Sequence, residues 1–341
     1  MQQPGDIGVC FDEDTSIPGA DHVYLVLQNI NKNKMVVVDN QYDLLHFRCV
    51  DGSDTGYGGK TPTEYFLRAP GYTPPEVASI SGAHFLSVLD TNLASSGDAG
   101  RQAVAKFART SAFAARKWGH GQGVMPIGYT IGMALSYARA VCELKAGKSE
   151  TMAMTVPDRK DDRTDALTFY SKKLAKIPGN ASEGGIDTLR KLFNVLIGLG
   201  VVESSGRWYC GRDMGANFDQ AETAEAGLFQ ASYGAMHANR SMRNLYAEYK
   251  GRTDFLDVFK EGAGSPDSDN LKNWGEGDGA IFQALTKNCP AFAAQYAALC
   301  LRYNRKEFGT LRDGVVEVTS DCDDFLRGIE DVLSKNGISS I

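Results

Sequence analysis

Five carboxyl groups fall within 23 residues: Glu203, Asp213, Asp219, Glu222 and Glu225. The first closes an apolar run, "LFNVLIGLGVV", and is followed by "SSG". Cleavage of a glycosidic bond needs a protonated carboxyl to give its proton to the leaving oxygen. It usually needs a second carboxyl that activates water or stabilises the oxocarbenium-like transition state. To stay protonated near neutrality, the acid must sit where the charged form is disfavoured. A glutamate at the C-terminal end of a greasy helix meets that condition in two ways. Burial removes water from it, and the negative end of the helix dipole opposes its ionisation. The plainer reading of Glu203 is a polar residue marking where the helix reaches water.

The elements that must position these groups are mostly helical. Apolar residues at spacings of three and four predict helices over 100–119, 126–147, 162–179, 185–202, 239–251, 289–309 and 322–337. Pro290 stands at a favourable first helical position, and Gly251 and Gly309 stand as stops. The N-terminal part differs. "HVYLVLQNI" (22–30) and "MVVVDN" (35–40) read as a β-hairpin across "NKNK", and "YDLLHFRCV" (42–50) reads as a third strand. The expected architecture is therefore mainly α (α+β), with a β-rich region over 1–78 and a helical domain over 79–341.

Composition excludes several classes. The 341 residues are 43% hydrophobic and 23% charged, ordinary for a globular chain, and the net charge of −6 gives no basic footprint for nucleic acid. No apolar run reaches the length of a membrane-spanning helix. The start, "MQQPGDIGVCFDEDTS", lacks the basic and apolar regions of a signal peptide. Seven cysteines occur without a C-x-x-C pair, so no metal framework is expected; if the others pair, an odd count leaves at least one free thiol. "GYGGKT" (56–61) falls short of a phosphate loop because Asp54 stands where the pattern needs glycine. His22, His46, His84, His120 and His237 make no H-E-x-x-H pair, and no G-x-S-x-G elbow is present. The sequons at Asn180 and Asn239 are of a kind that arises by chance. No cofactor is implied.

A helix ending in E-S-x-G, a polar acidic loop and then G-L-[MF]-Q form a recognisable order. In this chain they are "VESSG" (202–206) and "AGLFQAS" (226–232). This resembles the lysozyme-like superfamily, closest to goose-type lysozymes and lytic transglycosylases. Tyr303-Asn304, late in the chain, resembles the "YN" of the transglycosylases, without the following "AG". The motif core spans about 185–310, and the resemblance says nothing about 1–80. It implies a lysozyme-like helical domain in a bacterial glycosidase, secreted or periplasmic, that degrades polysaccharide, with peptidoglycan the leading substrate. Glu203 matches the catalytic acid. Asp219 or Glu225 is the favoured base, although a lytic transglycosylase needs none. Asp213, Glu222, Gly227, Gln230, Tyr233, Trp274 and Tyr303 are the expected substrate contacts. Gly227 would let backbone approach the sugar, Gln230 would hydrogen-bond substrate or backbone, and Leu228 and Phe229 are expected in the core. In "NWGEGDGAIFQAL" (273–285), Trp274 offers a stacking face, with Glu276 and Asp278 beside it; the alternative is a solvated loop ahead of a helix. Chitosan suits an acidic protein as an alternative substrate, another β-glucan remains open, and a glycan-binding or envelope-assembly protein without catalysis is the competing class.

Overall fold

The computed structural model describes residues 99–157, 159–179, 183–212, 215 and 217–341, and the backbone of five strands nearer the N-terminus. The chain divides into two compact units, Met1–Asn92 and Leu93–Ile341. The expected boundary at 78/79 and the "GYGGKT" loop lie outside the described residues.

In the first unit, β1 (Ile7–Cys10), β2 (His22–Asn29), β3 (Lys34–Gln41), β4 (Leu44–Asp51) and β5 (Tyr65–Leu67) form one antiparallel sheet in the order β4-β3-β2-β1-β5. The β2–β3 hairpin pairs Tyr24 with Asp39 and Asn29 with Met35, with a register shift between Val26 and Gln28. The β-rich runs "HVYLVLQNI" and "MVVVDN" made both strands legible.

The second unit is helical. It contains α1 (Ala99–Thr110), the two-residue strands β6 (Lys117–Trp118) and β7 (Gly123–Val124), α2 (Ile127–Lys145), α3 (Ser149–Met154), α4 (Ala166–Phe169), α5 (Ser171–Leu174) and α6 (Gly185–Ser204). After these come α7 (Arg240–Tyr249), α8 (Leu256–Lys260), α9 (Ser268–Leu271), α10 (Gly277–Asn288), α11 (Pro290–Tyr303), α12 (Gly309–Arg312) and α13 (Ser320–Lys335). The chain is thus mainly helical with a small antiparallel sheet. Among the described residues, no helix is long and apolar enough to cross a membrane.

Helix α6 is the axis of this unit. Every residue from Thr188 to Val201 is buried, and from Leu192 on all but Asn194 are apolar or glycine. One cation among them, Arg190, is satisfied by Asp323 at 2.9 Å and Glu330 at 2.9 Å, both on α13, and by Asp187. Helices α2 and α11 are likewise buried along most of their length. An aromatic cluster of Tyr233, Tyr246, Phe282, Phe292 and Tyr296 joins α7, α10 and α11, with neighbouring ring centroids 4.8–6.3 Å apart. Such pairs add directional packing to the area they bury.

Three expected helices are shorter than their periodicity suggests. The segment 100–119 leaves the helix at Thr110, and Phe113 turns in to stack on Phe325 at 4.5 Å and meet Trp118 edge-on at 5.8 Å. The segment 162–179 breaks into the one-turn helices α4 and α5. Asp165 caps the first of them through the amide of Leu167 at 2.9 Å, and its other oxygen pairs with Arg302 at 3.1 Å in full burial. That ion pair fixes Asp165 outside the helix. The segment 289–309 ends its α-helix at Tyr303, where the chain turns through Arg305–Glu307 into α12. Part of "NWGEGDGAIFQAL" is helix, with α10 beginning at Gly277.

Candidate functional site

Glu203 occupies the last turn of α6. Ser205 follows in the left-handed conformation (φ 52°), and the amides of Ser205 and Gly206 reach back to the carbonyls of Val201 and Gly200 at 3.0 and 3.1 Å. This stop turns the chain away while the Glu203 side chain stays half-buried beneath it. Burial raises the Glu203 carboxyl above its ordinary value, against a hydrogen bond that favours the charged form. The donor is the Thr310 hydroxyl on α12, which bonds Oε1. The other oxygen, Oε2, remains the place for a proton.

The second motif packs directly on this helix end. A side chain at Gly200 would place its Cβ 2.5 Å from the Tyr129 hydroxyl and 3.0 Å from the Phe229 ring. Close approach of α6 to the "AGLFQAS" segment therefore depends on that glycine. The segment after Glu203 completes the junction: the Cys210 carbonyl accepts from the Gly227 amide at 2.9 Å, and the Cys210 thiol lies 3.9 Å from the Glu203 carbonyl. Two isolated β-bridges, Arg212 with Ala226 and Ala226 with Ala231, hold the intervening loop.

The expected contact residues divide into groups. Leu228 and Phe229 are core. Gly227 has φ +80°, and its Cβ position would lie 2.9 Å from Thr286. The close approach it permits is thus to α10. The Gln230 amide nitrogen donates to the carbonyls of Gly227 at 2.8 Å and Cys210 at 3.4 Å, so it braces the turn. Asp219 is exposed in the 3₁₀ segment Phe218–Thr223, with its own amide donating to Asn217 Oδ1 at 3.1 Å. Glu225 is half-buried between the buried Ala224 and Ala226. Asp213 lies outside the described residues. The neighbouring Arg212 donates to the Asp269 carbonyl at 2.5 Å.

Glu222, Tyr233 and Asp278 form a separate group. Burial raises the Tyr233 phenol first, and the neighbouring charges of Asp278 and Glu222 raise it further. Trp274 is half-buried and meets Phe218 edge-on at 5.7 Å, and Phe218 is 53% exposed. Tyr303 takes a packing position: its hydroxyl donates to the Ala153 carbonyl at 2.9 Å and Arg159 lies 4.5 Å over its ring.

Glu307 and Thr310 carry no signal in the sequence reading, yet both touch the motifs. Glu307 Oε1 accepts from the Ser232 amide at 2.8 Å and the Ser232 hydroxyl at 2.6 Å. Burial raises the Glu307 carboxyl as well, against these two bonds. One short stretch, 304–312, therefore holds the last residue of "AGLFQAS" through Glu307 and the acid of "VESSG" through Thr310. A pair of half-buried carboxyls linked through the tertiary fold has no spacing by which a sequence could announce it.

Three cavities of about 350, 570 and 450 Å³ open in the helical unit, and Glu203 lines none of them. The five described cysteines, Cys142, Cys210, Cys289, Cys300 and Cys322, are free thiols. Compared with known proteins, the chain matches no family model, and no curated protein or solved structure matches it.

Proposed function

We propose that the protein is a lysozyme-like glycoside hydrolase that cleaves a β-linked polysaccharide, peptidoglycan foremost, with Glu203 as general acid. The observation that carries this reading is a carboxyl raised by burial at the end of a core helix, with one oxygen fixed by Thr310. In the neutral form, Oε2 gives its proton to the glycosidic oxygen as the bond to the anomeric carbon breaks. Asp219 or Glu225 serves as base for the attacking water; an inverting reaction requires the two carboxyls about 6.5–9.5 Å apart. Chitosan and other β-glucans are the alternative substrates.

The test is Glu203→Gln, assayed for reducing-end release from purified peptidoglycan, chitosan and β-glucans. Removing a general acid lowers the rate by about 10²–10⁴, with an unchanged circular dichroism spectrum. A variant that cleaves as fast as the wild type sinks the assignment of Glu203. The competing class is glycan binding without cleavage, and Gln230 and Tyr303, which spend polar groups on the protein's own carbonyls, would not be its sugar contacts. Binding without product from any of these polymers would select it.

A further inference from the structure

The segment 264–278, which carries α9 and Trp274, holds no buried residue. Two polar side chains one turn apart on α10, both sealed from solvent, pin it. Gln283, 0% exposed, accepts from the Trp274 amide at 2.7 Å and donates to the carbonyls of Trp274 at 3.0 Å and Ala221 at 3.3 Å. Lys287, 2% exposed, donates to the carbonyls of Asn270 at 3.1 Å, Leu271 at 3.1 Å and Lys272 at 2.7 Å. Arg212 adds a third hold at the Asp269 carbonyl. A segment held by polar contacts, with no buried apolar anchor of its own, belongs to the low-stability end of a fold.

Lys287 differs from Gln283 because it buries a charge. Three carbonyls take up its three ammonium protons and supply no countercharge. Among the described residues, the lysines in ion pairs are Lys148, Lys260, Lys272 and Lys335. The charge that acts on Lys287 is a second cation, Arg212. In the segment above it, Asp269 and Lys272 pair with each other at 2.6 Å, both side chains largely exposed. On α10 its neighbours Gln283 and Thr286 are neutral. Burial first, and then Arg212, push the Lys287 ammonium down to about 8. A lysine lifted into water keeps its proton up to about 10.4. The sign follows from linkage: the pinned state gains on the lifted one as pH rises between these two values. Below them it bears the whole penalty of a buried, unpaired charge.

We propose that the segment 264–278 is a strap poised to open, with Lys287 as its proton-operated latch: the protonated amine keeps the strap ready to lift, and loss of the proton tightens it. Trp274, whose ring meets Phe218 edge-on, travels with the strap, so the aromatic pair is assembled only when the strap is down. The device stands apart from the glycosidase reading and holds whatever Glu203 does.

The experiment is millisecond-pulse amide exchange on the full chain across pH 6–10, corrected for the chemical exchange rate, with amides of α6 as the internal reference. In the wild type, opening of the strap amides is expected to be level below pH about 8 and to fall by up to about tenfold per pH unit above it. Lys287→Arg keeps the donors and its proton, and Lys287→Met has no proton to lose, so both give level profiles. A wild-type profile that is level or rises, or a fall that persists in either variant, overturns the proposal. The same slope at the α6 amides places the effect in global unfolding and overturns it too. If neither variant folds, ¹⁵N NMR of the Lys287 Nζ in the wild type decides: titration at the ordinary lysine value overturns the latch, and titration well below it supports the latch.

Discussion

Thr310→Val isolates the force that sets the Glu203 proton affinity. The hydroxyl donates to Glu203 Oε1 and is the one contact that lowers this carboxyl against the burial that raises it. Valine keeps the shape and removes the donor. A hydrogen bond to a charged group contributes about 1.5–3 kcal/mol. Glu203 is half-buried rather than sealed, so the lower figure of about 1.5 kcal/mol applies, equal to about a tenfold gain in proton affinity. The assay is ¹³C NMR titration of glutamate carboxyls, with Glu203→Gln identifying the resonance. The Glu203 pKa rises above its wild-type value in Thr310→Val and returns toward it in Thr310→Ser. If Glu203 is the general acid, the alkaline limb of the cleavage profile moves up with it. Stability follows the same sign. A carboxyl raised on folding contributes stability below the ordinary glutamate range, and that contribution is lost as pH rises through the folded value. In the variant this loss runs further up the pH scale. A Glu203 pKa that stays put or falls in Thr310→Val would show that the hydroxyl is not what holds the ionised form.

Gly227→Ala forces a Cβ against Thr286 at a φ of +80° and destabilises the protein by about 1–3 kcal/mol, read by urea unfolding. Glu307→Gln keeps an acceptor for Ser232 and removes a titrating group raised by burial, so the fall in unfolding free energy as pH rises above the ordinary glutamate range becomes shallower; an unchanged slope would exclude Glu307 as its source. Arg302→Met leaves Asp165 buried without its cation and lowers stability by about 3–5 kcal/mol, seen as an earlier urea midpoint; a midpoint within error of wild type refutes the pairing argument.

Where local pattern and global fold agree, the sequence is readable. The long apolar run of α6 and the β-rich runs of the β2–β3 hairpin are such places. It misleads where a distant partner overrides local preference. The helical pattern over 162–179 gives way because Arg302, 137 residues downstream of Asp165, fixes that carboxylate as a cap. Glu203 is legible because burial at a helix end follows from its own neighbours. Thr310 and Glu307 are not, because their partners lie 107 and 75 residues away.

The stretch 304–312 also sets how fragments of this chain should behave. A piece ending before Asn304 would keep "VESSG" and "AGLFQAS" intact, letter for letter. It would lack Thr310 opposite Glu203 and Glu307 opposite Ser232. Both signatures would survive in such a fragment while the clasp that holds Glu203 and Ser232 was gone. Inheritance of the motif and inheritance of the site are therefore separable in this protein.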